Sequence, residues 1–223
     1  MKPSSNHSSY DSYSLSLGDA HEAHEFERLK ALLRSCSPQN PREKEDLQVM
    51  LRACELHPDV LCRSCADGHF TASAWICDRE HKRVLLVYHR IFDSWAWTGG
   101  HADGDPDLLR VALREAEEET GLREFRVINT DVLSGGKGDE KPPISLEILK
   151  VKAHRRRGLF VPAHLHYNLT WLLEADATTP LRIKEDENSG VAWFLLDEVC
   201  AHCSEPQMQP IYAKLNARLR ALS

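Results

Sequence analysis

The densest group of residues able to do chemistry is Arg114-Glu115 followed by Glu117, Glu118 and Glu119. On an α-helix, at about 100° per residue, Glu115, Glu118 and Glu119 share one sector and form an acidic stripe. Like charges at i,i+3 and i,i+4 cost roughly 0.2–0.5 kcal/mol per pair, and the negative end of the helix dipole adds to that penalty. A bound cation removes both costs. Carboxylate oxygens at this density suit a hard ion, Mg2+ or Mn2+. The competing reading is a solvated acidic face balanced by Arg110, Arg114 and Arg123.

The stripe needs a helix to hold it. Asp105 reads as the N-cap, Pro106 as the first helical residue and Gly121 as the left-handed stop, which predicts a helix over Pro106–Thr120. Leu109, Ala112, Leu113 and Ala116 form its core stripe. Upstream, residues 1–18 are serine-rich and read as a disordered tail. Helical spacing follows over Asp19–Cys36 (Phe26, Leu29, Leu32, Leu33). It is broken at Ser37–Pro41 and resumes over Pro41–Leu56 (Leu47, Met50, Leu51, Cys54). Strand patterns fall at His69–Cys77, Val84–His89, Phe125–Val132, Ile144–Lys152, Leu165–Glu174 and Val191–Leu195, with a Gly/Lys/Pro-rich loop over Ser134–Pro143. Helical patterns close the chain over Asp197–Cys203 and Gln207–Leu222. Helices, then mixed strands around one helix, then helices again imply an α/β protein with a mixed sheet. The organisation expected is a tail (1–18), an N-terminal helical extension (19–57) and one domain that includes the C-terminal helix (58–223).

The segment Gly100–Leu122, GHADGDPDLLRVALREAEEETGL, resembles the Nudix box, G-x5-E-x7-R-E-U-x-E-E-x-G-U with U aliphatic. Gly100, Arg114-Glu115, Ala116, Glu118-Glu119, Gly121 and Leu122 match; Pro106 stands where the family has glutamate. Trp95-Ala96-Trp97-Thr98-Gly99-Gly100-His101 resembles the strand end and glycine turn that lead into such boxes. A looser likeness covers about His69 to Cys203, including Glu187–Phe194. The resemblance implies an α/β/α sandwich with an added N-terminal helical hairpin. It also implies hydrolysis of a diphosphate linkage in a nucleoside diphosphate joined to a group X, with Mg2+ or Mn2+ held by the box. Such ions neutralise phosphate oxygens, orient a water and lower its pKa. Carried over by position, Glu115, Glu118 and Glu119 are metal ligands and the Gly100 carbonyl a further one. Arg114 orients a glutamate. Glu115 and Glu118 are catalytic candidates, with Glu187 as the acidic residue outside the box. Pro106 deprives Arg114 of its usual partner, for which Asp103, Asp105 or Asp107 could substitute.

Other constellations are weaker. His164 and His166 share one face of a strand and could bind phosphate or the X group if that face looks toward the box helix. Arg90 and Trp95 are further substrate-binding candidates, Trp95 by stacking near the glycine turn; core packing is the default for a strand tryptophan. Arg155-Arg156-Arg157 reads as a hairpin tip. Cys62-x2-Cys65 and Cys200-x2-Cys203 offer four thiols for Zn2+, but the pairs are far apart in sequence, and unpaired thiols are the default. An isopentenyl-diphosphate isomerase would need a cysteine in the turn Thr98–His101, which has none. A non-catalytic ligand-binding module would have lost box glutamates.

Composition sets the outer bounds. The 223 residues carry 28 Lys plus Arg against 34 Asp plus Glu, a formal net charge of −6. This argues against a nucleic-acid polymer as partner and leaves a small-molecule diphosphate open. Five acidic residues against two arginines in Pro106–Thr120 place half of that excess on the box helix. No apolar run is long enough for a membrane span, and the N-terminus lacks the apolar core of a secretory signal. Seven cysteines without such a signal point to reduced thiols and a cytoplasmic location. The helical hairpin could cover the sheet, shape specificity or form a homodimer.

Overall fold

The computed structural model describes residues 17–130, 141–156 and 158–222. Its centre is β1 (Gly68–Asp78), a strand buried along its whole length. A strand covered on both faces must be flanked by partners, and β1 has them. β9 (His164–Ala175) pairs with it in parallel from Gly68↔Leu165 to Asp78↔Ala175. β2 (Arg83–His89) and β4 (Thr98–His101) pair with it antiparallel. β10 (Asn188–Leu195) and β3 (Ser94–Ala96) extend the sheet from β2, and β5 (Arg126–Val127) and β6 (Ser145–Val151) from β9. The result is an eight-stranded mixed sheet, with β7 (His154–Arg156) and β8 (Leu159–Val161) as a separate hairpin.

Alternation along β1 divides the core in two. Phe70, Ala72, Ala74 and Ile76 face α3 (Leu108–Thr120) and share one apolar cluster with its Leu108, Val111, Ala112 and Ala116. Trp75 and Cys77 face the other way, onto Val199 of α4 (Val199–His202) and Tyr212, Leu215 and Leu219 of α5 (Gln209–Arg220). Helices therefore cover both faces, the expected sandwich. The helical hairpin, α1 (Leu17–Ser35) and α2 (Pro41–Leu56), adds Leu29, Leu33, Leu47, Met50 and Ala53 to the α3-side core. α2 also guards the edge strand: the Asp46 carboxylate accepts from the Ile148 amide of β6 (3.1 Å). Beside it, buried Glu43 accepts from Arg218 and Lys214 of α5 (both 2.8 Å), and Lys214 also donates to Glu147 (2.6 Å). Burial alone would raise the Glu43 pKa, but the hydrogen bonds from Arg218 and Lys214 outweigh it and hold the carboxyl at about 2.

Three expectations shift. α3 begins at Leu108, not Pro106, because Asp107 is the cap and its carboxylate accepts from the Arg110 amide (3.1 Å). Asp105 lies before the helix, accepts from the Asp107 amide (2.9 Å) and is gripped by the Arg110 guanidinium. The deepest stripe is Leu108, Val111, Ala112 and Ala116, with Leu109 and Leu113 only half-buried. That stripe runs on into Glu119, which is why a carboxylate ends up inside the protein. The strand expected over Phe125–Val132 is the two-residue β5, its last two positions lying outside the described residues. Residues 134–140 of the Gly/Lys/Pro-rich loop, Arg157 of the arginine run and residues 1–16 of the serine-rich tail also lie outside them, while Leu17 and Gly18 are helical. Among the described residues no helix is long and apolar enough to cross a membrane.

Candidate metal centre and active site

β4 and the last two turns of α3 build the site between them. Gly100 sits against the Glu115 carboxylate so closely that a Cβ there would lie 2.4 Å from Glu115 Cδ. Any larger residue would push the carboxylate away. Glu115 also accepts from Arg114 Nη2 (3.1 Å), and Arg114 Nε lies 3.9 Å from Glu118. Arg114 thus takes its partners from the box glutamates themselves. Asp103 is instead held by Arg63 through two 2.7 Å bonds, Asp105 by Arg110, and Asp107 by its capping role.

Glu119 is 4% exposed. One carboxylate oxygen accepts from the Gly99 amide (2.9 Å), the other from the Asn188 side chain on β10 (3.1 Å). Burial dominates, with smaller repulsion from Glu115 and Glu187, and raises its pKa from 4.5 to about 7. Glu118 is more exposed and meets a cation of the protein itself: Lys184 Nζ lies 2.8 Å from Glu118 and 3.0 Å from Glu187. Paired with two carboxylates, the Lys184 amine is held well above its ordinary range. An acidic set that already gathers an ammonium, all of its donors oxygen, fits a hard divalent ion. Glu118 and Glu187 are thus joined through Lys184, Glu115 lies against Gly100, and Glu119 lies close enough to feel the charges of Glu115 and Glu187.

The remaining candidates lie elsewhere. Arg90 fastens β2 to β10, its amide donating to the Glu187 carbonyl (3.2 Å) and its Nε to the Asn188 carbonyl (3.2 Å). Trp95 packs edge-on against Tyr88 and Phe194 and closes over Gly190. His164 and His166 occupy the β9 positions that alternate with Leu165 and Tyr167, and those two join the α3-side core. The histidine face therefore looks away from α3, and the condition for their contact with phosphate at the box is not met. Burial, then the neighbouring His101 and His69, push the His166 pKa down to about 2. The two cysteine pairs do not converge: Cys62 lies near Gly104, while Cys200 and Cys203 donate to the carbonyls of Gln209 and Glu205. Sequence reasoning missed Lys184 and Asn188, since only the turn into β10 carries them back to α3. An open groove of about 520 Å3, lined by Leu181, Arg182, Ile183, Glu185, Gly190 and Val191, borders that turn.

A family model described as the NUDIX domain matches residues 68–219, which include every residue of this centre. The chain belongs to the Nudix family. Membership supports a hydrolase acting on phosphorus-containing anhydrides. Among curated proteins, a CMP-5'-(N-acetyl-N-hydroxy-3-aminopropyl)phosphonate hydrolase of Streptomyces rubellomurinus is 41% identical over 56 residues, 23% of this chain. The match spans only 27% of that relative's length. Among solved structures, a C. elegans Ap4A hydrolase binary complex is similar at a TM-score of 0.49 and 18% identity, covering 68% of this chain and 98% of that one. A NUDIX-family hydrolase from Clostridium perfringens is similar at 0.49 and 20%, covering 70% and 98%.

Proposed function

We propose that this Nudix protein is a divalent-metal-dependent hydrolase that cleaves a diphosphate linkage in a nucleoside-diphosphate-X or related metabolite. The observation that carries this reading is the pairing of Glu118 and Glu187 with one ammonium, Lys184, near the buried Glu119 and the Glu115 that packs on Gly100. Glu115, Glu118 and Glu119 would hold Mg2+ or Mn2+, with the Gly100 carbonyl as a further donor. The ion's contribution is to neutralise phosphate oxygens and acidify a water. Arg114 keeps Glu115 and Glu118 oriented. Gly99 and Asn188 fix both oxygens of Glu119. Glu118 or Glu187, the accessible carboxylates, would accept the proton of an attacking water. With a divalent ion held by the carboxylates, Lys184 would be available to pair with a phosphate.

The test is a panel of nucleotide sugars, dinucleotides, nucleoside triphosphates and non-nucleotide diphosphates with Mg2+ or Mn2+. The short likeness to the Streptomyces protein adds a CMP-linked phosphonate. Glu118→Gln is expected to lose at least ~100-fold in turnover on whatever substrate responds. A variant as fast as the wild type removes the metal assignment. Pro106→Glu, run beside it, shows whether the missing box glutamate limits the rate.

A further inference from the structure

The sheet face that looks away from α3 is polar at one end. On β1 the outward series is His69, Thr71 and Ser73 before it turns apolar at Trp75; on β9 it is His164, His166, Asn168 and Thr170 before Leu172. The hydroxyls of Thr71 and Ser73 both donate to Asn168 Oδ1, and Asn168 Nδ2 donates to Thr170 Oγ1, so this half of the patch is satisfied. The histidine half differs. His69 is 3% exposed; neither ring nitrogen makes a hydrogen bond of good geometry, although the Cys65 backbone lies close enough to act on one of them. A neutral imidazole carries one N–H and one lone pair, and burying either without a well-aligned partner is unfavourable. Its ring centroid lies 5.1, 4.9 and 5.0 Å from those of His101, His164 and His166. One ring nitrogen each of His69, His101 and His166 falls within 4.8 Å of the others.

His164 stands beside the group with a fixed tautomer. Its Nδ1 lies 2.9 Å from the Pro162 carbonyl, which can only accept, so Nδ1 carries the proton and Nε2 presents a lone pair. That lone pair accepts from His166 Nε2, 3.2 Å away. A hydrogen bond that orients a histidine from behind is the usual support for a metal ligand. Asp103, the nearby carboxylate, is taken by Arg63, so the donor set is nitrogen alone.

We propose that His69, His101 and His166 form a binding site for one borderline transition-metal ion of the Zn2+ or Co2+ type, with His164 beside it as the residue that orients His166. The site is separate from the glutamate centre and lies across the sheet from it. The two sites select by chemistry: imidazole nitrogens take Zn2+ or Co2+ and are poor ligands for Mg2+, which the carboxylates prefer. The competing account is packing of the four rings around the hydrogen bond between His166 and His164.

The experiment uses the full chain, stripped with chelator and titrated with CoCl2 in the presence of excess Mg2+. One Co2+ per chain with the intense visible bands of four-coordinate cobalt is expected, displaced by one equivalent of Zn2+. His101→Ala and His164→Gln should each weaken cobalt binding about tenfold or more. Glu118→Gln should leave the spectrum and the stoichiometry unchanged. Absence of the bands, or their loss in Glu118→Gln but not in the histidine variants, overturns the proposal. Circular dichroism of each variant checks folding; His164 is half-buried at the strand start, so its glutamine variant is the one expected to retain the fold.

Discussion

Replacing Glu119 by glutamine isolates the energetic cost of a carboxyl inside the metal centre. The group has a pKa of about 7 in the folded protein against 4.5 in the unfolded chain. A folded pKa above the unfolded one means that the group's contribution to stability is fully present below about pH 4.5 and is lost as pH rises through about 7. The shift corresponds to about 3 kcal/mol. Glutamine does not ionise, but it offers one acceptor where the Gly99 amide and Asn188 need two, at a cost of about 1 kcal/mol. Without metal, Glu119→Gln should therefore be about as stable as wild type near pH 5 and about 2 kcal/mol more stable near pH 8.5. For a chain of this length that gain is about 4–8 °C in Tm. The assay is thermal unfolding of both proteins in chelator across this pH range. Mn2+ at the higher pH should reverse the order, since a bound ion offsets the charge that costs the wild type its stability. A difference between the two proteins that stays constant with pH refutes the reasoning.

Gly100→Ala places a methyl 2.4 Å from Glu115 Cδ, so Mn2+ affinity measured by calorimetry should fall about tenfold or more; unchanged affinity removes Glu115 from the ligand set. Lys184→Met removes the ammonium that competes for Glu118 and Glu187, and Mn2+ should bind several-fold tighter to the variant; weaker binding would mean that Lys184 supports the centre rather than competing for it. Glu43→Ala strands buried Arg218 and should cost about 3–5 kcal/mol in urea unfolding, with a loss below about 1 kcal/mol showing that the charge cluster is solvated.

What could be read from the chain follows from how local each signal is. The box helix and its Glu115, Glu118 and Glu119 lie within one stretch, and helical period alone puts them on one stripe. α2 was legible to the residue because Asn40 caps it and Pro41 opens it. The start of α3 was misread because Asp105 and Asp107 are both competent caps. Only the grip of Arg110 on Asp105 decides between them. Lys184, Asn188 and the four-histidine group depend on pairings far apart in sequence. His69 meets His166 because β1 and β9 run parallel in register, and no local pattern in either strand announces that. The pairing of His164 with His166 was visible by period two, but their direction was not, because a strand pattern does not reveal which face a helix covers.

The ion cluster around Glu43 also bears on synthesis. Glu43 and Arg218 are separated by 175 positions, so the hairpin leaves the ribosome long before its charge partner exists. Until α5 arrives, the nascent chain carries an unneutralised carboxylate and a β6 edge that α2 alone can shield. The last helix then acts as a clasp, joining the first part of the described chain to the last. A protein trimmed to the region matched by the family model would keep Arg218 and Lys214 but lose their partner Glu43. Aggregation of that shortened chain through the bared β6 edge is the behaviour this arrangement implies.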